Sequence, residues 1–182
     1  MYIEKNYFWI PPLLGGLISL IALFTPATYK ILPGNYYYIW MWGLLSYKLY
    51  DSTDTLFTNN VKLFIPSIIC SILVFIFAII IIISANMNRT GKKGFKDVKN
   101  KWYGLSVLVI ITTATWMIIY EVHSYIAVSY SWWKDWYPGF GVIGIFLGAI
   151  IIIMGIFLGN YFLKQKERVQ ILDIGKQEYK YP

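Results

Sequence analysis

Residues 28–57 read TYKILPGNYYYIWMWGLLSYKLYDSTDTLF, a long polar and aromatic stretch set between hydrophobic runs. Tyr36, Tyr38, Trp40 and Trp42 alternate with Tyr37, Ile39 and Met41. In an extended chain that alternation sends two aromatic-rich rows to opposite faces of a strand. Pro33-Gly34-Asn35 supplies a tight turn ahead of it, because Pro presets φ while Gly and Asn tolerate positive φ. Gly43 breaks the alternation, and Leu45, Tyr47 and Leu49 predict a further short strand. The stretch therefore reads as a small antiparallel sheet. Asp51-Ser52-Thr53-Asp54 then reads as the cap of a short outer helix, since these side chains accept hydrogen bonds from the free amides of a helix start.

Around this stretch the chain is a membrane protein by composition. Of its 182 residues 58% are hydrophobic and 14% charged, far from a soluble globular balance. Residues 64–84, 103–120 and 137–163 carry no charge, each close to or above the length that crosses a bilayer. A fourth apolar run, 7–24, begins with Pro11 and Pro12, which a first helical turn tolerates. A cleaved signal peptide is its competing reading. Glu4 and Lys5 in place of a basic cluster, and the lack of a small-x-small site, favour an uncleaved helix. The expected fold is an all-α membrane protein, a four-transmembrane-helix bundle with a small extracellular antiparallel sheet in the first outer segment. One membrane domain, 1–182, has spans at about 7–26, 62–84, 103–128 and 137–163. Between them lie the outer segment 27–61, a loop 85–102 and a mixed-charge, mobile tail 164–182.

Charge sets the orientation. The 85–102 loop carries Arg89, Lys92, Lys93, Lys96, Lys99 and Lys101 against Asp97 alone. Lys164, Lys166, Arg168, Lys176 and Lys180 outnumber Glu167, Asp173 and Glu178 in the tail, whereas Lys134 and Asp135 cancel in the third connection. Short basic loops stay cytoplasmic, so both termini and the loop face in and the aromatic segment faces out, in a plasma or other cell membrane. The net charge of +7 is then topology rather than nucleic-acid binding. Attraction of anionic inner-leaflet lipid to Lys92, Lys93 and Lys96 is a secondary reading. Asn88-Arg89-Thr90 matches the glycosylation pattern, and this topology leaves it unmodified.

Few residues suggest chemistry. Glu121 is the membrane-depth carboxylate, with His123 nearby, and intramembrane acids are expensive enough to suggest function. The two point to different sides of a helix, and Glu121 lies shallow, so hydrogen bonding to the outer layer competes with ion or proton binding. No metal-ligand spacing surrounds the single histidine, and no cofactor is implied. The lone Cys70 reads as a small buried apolar residue. Trp132, Trp133 and Trp136 crowd the third connection with Tyr137 and join Tyr36, Tyr38 and Trp40 in a packed outer layer or a candidate outer aromatic contact surface. Gly144 with Gly148, and Gly155 with Gly159, have the spacing that lets helices approach closely, within the bundle or toward a second protein.

The order of features resembles the claudin and peripheral-myelin-protein superfamily, with four spans, both ends inside and a sheet in the first outer segment. Trp42-Gly43-Leu44-Leu45 is similar to that family's W-GLW pattern. Lys48-Leu49-Tyr50-Asp51-Ser52 is similar to the run that closes its outer sheet, and Thr28-Tyr29-Lys30 takes the place of its Trp-Arg after the first span. The family's two outer cysteines are absent, so aromatic packing has to hold the sheet, and Leu45 stands where the pattern ends in Trp.

Three function classes follow. The resemblance implies a non-enzymatic structural or cell-contact protein that binds copies of itself or other membrane proteins through its outer sheet. The alternative is an accessory subunit stabilising or modulating a channel, transporter or membrane enzyme. A transporter or enzyme in its own right comes last, for want of a paired acid, a nucleophile with its base, or a phosphate loop.

Overall fold

A computed structural model describes residues 7–49, 52–57, 61–129 and 131–178. The chain runs α1 (Ile10–Leu23), β1 (Pro26–Leu32), β2 (Asn35–Trp40), β3 (Leu44–Leu49), β4 (Ser52–Phe57), α2 (Val61–Arg89), α3 (Phe95–Val128), β5 (Tyr137–Pro138) and α4 (Phe140–Glu178). A single 3-10 turn, Trp132–Lys134, precedes β5. Each helix packs on two others: α1 on α4 and α2, and α3 on α2 and α4. The helical segments Val61–Arg89, Phe95–Ala127 and Phe140–Gln165 are long and apolar enough to cross a membrane. The helix α1 is equally apolar but has 14 residues, about 21 Å at 1.5 Å per residue.

The strands form one antiparallel sheet in the order β4-β3-β2-β1-β5, at the end of the bundle where α1 stops and α4 starts. Gly34 (φ 78°) closes the β1–β2 hairpin and Gly43 (φ 88°) the β2–β3 hairpin, conformations an L side chain rarely adopts. The sheet is tied to the bundle through β1. The Gly139 amide donates to the Ala27 carbonyl at 2.8 Å, and a Cβ at Gly139 or Gly141 would run into the backbone of residues 25–27.

Several expected boundaries are corrected. Ser52–Phe57 is a strand and not a capped helix: Thr53, Thr55 and Phe57 suit a pleated surface, and Ser52, Thr53, Asp54 and Thr55 pair with Leu49, Lys48, Tyr47 and Ser46. The expected fourth span from 137 begins at Phe140, because Tyr137 and Pro138 pair with Tyr29 and Thr28 as an edge strand. The first helix stops at Leu23, since Pro26 opens β1. The expected 18-residue loop shrinks to Thr90–Gly94. α2 runs on to Arg89, while α3 starts at Phe95 by burying Phe95, Val98 and Trp102 and leaving Lys96 and Lys101 exposed. The tail expected to be mobile from Lys164 continues α4 to Glu178.

Candidate functional site

Paired residues of neighbouring strands share a face, so the register sorts the aromatic residues into two sets. One face carries Thr28 and Lys30 of β1, Tyr37 and Ile39 of β2, and Leu45 and Tyr47 of β3. It sits on the bundle: Thr28 and Ile39 are buried, and Leu45 packs against the core. The opposite face carries Tyr137, Tyr29, Tyr38 and Ser46 in one cross-strand row, and Ile31, Tyr36, Lys48 and Thr53 in the next. Rings adjoin there, Tyr29 with Tyr137 at 5.6 Å and Tyr36 with Tyr38 at 5.8 Å, and the Lys48 ammonium lies 5.7 Å from the Tyr36 ring centre. Ile31 is 63% exposed and Tyr137 56%. Tyr36 and Tyr38 were legible as surface candidates from their alternation. Tyr29 and Ile31 were not, because their place depends on pairing across strands.

Of the two readings for the three tryptophans of the third connection, their place is that of a packed layer and not of the contact surface. Trp132, Trp133 and Trp136 are half-buried against the bundle core, and the large rings of Trp132 and Trp136 fill space between sheet and bundle. Trp132 and Trp136 stack at 4.5 Å, Tyr37 meets Trp136 edge-on, and Trp132 meets Tyr120 at 5.1 Å. Tyr120 contacts Trp116, and both converge on Ser67 of α2. The Trp116 Nε1–H donates to Ser67 Oγ at 3.1 Å, and Ser67 shares a 3.2 Å hydrogen bond with the Tyr120 hydroxyl. Ser67 was legible only as a polar interruption in an apolar run. A cavity of about 250 Å³ remains between sheet and bundle, lined by Tyr37, Ile39, Leu45, Leu63, Tyr120, Trp132 and Trp136.

The motif residues take structural places. Trp42-Gly43 is the β2–β3 turn, with Gly43 against Phe64 of α2, and Leu44 and Leu45 open β3. Trp40 donates its indole N–H to the Phe24 carbonyl, and Lys48 and Ser52 lie in β3 and β4. Tyr50 and Asp51 lie outside the described residues. Lys30 reaches across to Asp135 at 2.8 Å, so the acid that cancels Lys134 in the sequence pairs with the sheet in space.

Glu121 accepts a 3.3 Å hydrogen bond from the Trp133 backbone N–H, which ties α3 to the connection above it. His123 lies two residues further along α3, and among the described residues no three His, Cys, Asp or Glu side chains converge as metal ligands. Cys70 is buried. The glycines of α4 are taken up within the chain: Gly144 faces Ala22, Gly148 faces Gly15 and Ser19, Gly155 faces Pro11, and Gly159 faces Phe95 and Phe8. At the far end Lys92, Lys93 and Lys96 are exposed around the α2–α3 turn.

No protein-family model matches the chain, and no curated protein or solved structure matches it either.

Proposed function

We propose that this chain is a non-enzymatic integral membrane protein of claudin-like architecture, acting through contacts made by the outward face of its sheet. In this reading α1 is a short fourth span, the sheet stands on the outer side of a cell membrane, and the termini and basic turn lie inside. Support for the fourth span is the depth of the α1–α4 contact, which runs from Pro11 against Gly155 to Ala22 against Gly144. The basic turn, at the end of the bundle away from the sheet, supports the orientation.

The observation that carries the contact role is the two-faced sheet. One face is consumed by the bundle, and the other leaves Ile31, Tyr36 and Tyr137 exposed, with Tyr29 and Tyr38 half-buried beside them on a braced surface. Tyrosine offers large contact area at small entropy cost, which suits a binding surface better than a solvated one. The test is the mass and composition of the particle extracted in mild detergent, for the full chain and for Tyr36→Ser/Tyr38→Ser. The expected result is a homo-oligomer, or chains that polymerise on reconstitution, reduced to single chains by the double substitution with the thermal melt unchanged. A wild-type particle of single chains that never polymerise would overturn the reading. A fixed ratio to an unrelated membrane protein would replace it with the accessory-subunit reading.

A further inference from the structure

The second connection concentrates the positive charge of the described helices. Between Arg89 and Lys101 there are six basic residues and one acid. The structure changes what that count means, because a loop expected to be 18 residues long is a hydrogen-bonded turn of five. Asn88 Nδ2 donates to the Lys93 carbonyl at 2.8 Å, the Lys93 amide to the Met87 carbonyl at 3.3 Å, and the Thr90 hydroxyl to the Asn86 carbonyl at 3.0 Å. Gly91, at φ 72°, supplies the left-handed residue that the reversal needs. Lys92 and Lys93 are therefore presented from a fixed backbone, and little ordering entropy is lost when they meet a partner.

The one acid offsets a single charge and is held in place on the backbone. Asp97 Oδ2 accepts the Gly94 amide at 2.9 Å and caps α3. Lys99 donates to Asn160 Oδ1 of α4 at 3.0 Å, and Lys92, Lys93, Lys96 and Lys101 are exposed. Depth follows from the neighbours. The Arg89 guanidinium lies 5.2 Å from the Trp9 ring centre, a cation–π pair, and tryptophan favours the headgroup region. About 9 Å along α2 from Arg89, and about 12 Å along α3 from Phe95 at 1.5 Å per residue, Ile83 and Tyr103 are exposed, an apolar and an interfacial side chain suited to the acyl and headgroup boundary. A surface so close to hydrocarbon leaves little room for a bulky macromolecule.

We propose that the α2–α3 turn is a binding surface for anionic phospholipid headgroups, with Lys92 and Lys93 as its principal contacts and Lys96 and Lys101 alongside. An anionic leaflet attracts a juxtamembrane lysine strongly enough that each one removed lowers the association by about fivefold. The attraction is screened by salt.

The experiment reconstitutes the full chain in phosphatidylcholine vesicles containing spin-labelled phosphatidylserine or spin-labelled phosphatidylcholine, and measures by electron paramagnetic resonance how much of each lipid the protein immobilises. The expected result is a preference for phosphatidylserine that weakens at high salt, is largely lost in Lys92→Gln/Lys93→Gln, and is kept in Lys92→Arg/Lys93→Arg. Equal immobilisation of both lipids would overturn the proposal, as would a preference that survives the glutamine substitutions or is lost in the arginine ones. Millimolar inorganic phosphate should leave the preference intact. Displacement of the labelled lipid by phosphate would make this a free-phosphate site and overturn the assignment to the bilayer.

Discussion

Ser67 shows how much a single small residue settles here. Its hydroxyl is the meeting point of Trp116 and Tyr120, both fully buried, so removing it strands an indole N–H and a phenol O–H away from water. A buried donor without a partner costs about 1–3 kcal/mol, more than the net worth of the bond it made. Ser67→Ala should therefore destabilise the chain by roughly that amount in a denaturant titration. Tyr120→Phe keeps the ring stack and leaves Ser67 bound to Trp116, so it should cost less. An equal loss in the two variants would show that the hydroxyl junction carries no special weight. Glycines divide in the same way. A Cβ at Gly148 would collide with Ser19 and the Gly15 backbone, whereas one at Gly104 meets nothing within 4 Å. Gly148→Ala should cost about 1–3 kcal/mol by forcing α1 from α4. Gly104→Ala, in an exposed helix position, should be neutral or stabilise by up to about 1 kcal/mol. Thermal melts of the two variants check this, and a common direction would contradict the packing.

Among elements, the sheet was the most legible part of the chain and β4 the least. The alternation of 36–42 names two faces because a strand has period two, and the structure puts Tyr37 and Ile39 on one and Tyr36 and Tyr38 on the other. Ser52 to Thr55 supports a helix cap and a strand about equally by residue type, and what decides between them is the free edge of β3, a long-range partner invisible in local sequence. The same limit applies to Asp135. It looks cancelled by Lys134 next to it, yet the fold carries Lys30 to it. That pair is partly exposed, 23% for Lys30 and 41% for Asp135, so its coupling in a double-mutant cycle should be below about 1 kcal/mol and should shrink with salt. A larger, salt-independent coupling would mark it as a desolvated clamp between sheet and connection. The glycosylation pattern at Asn88 changes meaning as well. Its side chain is 5% exposed and bonded to the Lys93 carbonyl, so an unmodified Asn88 no longer reports orientation.

At the scale of the molecule, an aromatic sheet and a four-helix bundle are joined by one continuous chain of ring contacts from Tyr47 through Tyr37, Trp136, Trp132 and Tyr120 to Trp116. With a single cysteine in the chain, no intrachain disulfide can supplement those contacts, which join the buried Ala27, Ile39 and Met41 in holding the sheet to the bundle. Glu121 sits beside these ring contacts as a backbone acceptor. Glu121→Gln retains an acceptor oxygen for the Trp133 amide, so particle mass should not change and stability should shift by less than about 1 kcal/mol. Loss of assembly, or abolished ion flux, would assign Glu121 a role beyond holding the connection.

Composition and periodicity alone settled the long apolar helices, the basic character of the second connection and the strand alternation, because each follows from local rules: uninterrupted hydrophobicity, net charge, and the two-residue repeat of an extended chain. Folding in three dimensions settled which aromatic residues are buried and which are presented. It packed Trp132, Trp133 and Trp136 against the core, left Tyr29 and Tyr137 on the far face of the sheet, and turned Gly144, Gly148 and Gly155 of α4 toward α1. These outcomes depend on contacts between residues far apart along the chain. A tryptophan or a glycine has the same local preferences whether its neighbour in space is a helix, a lipid or another protein.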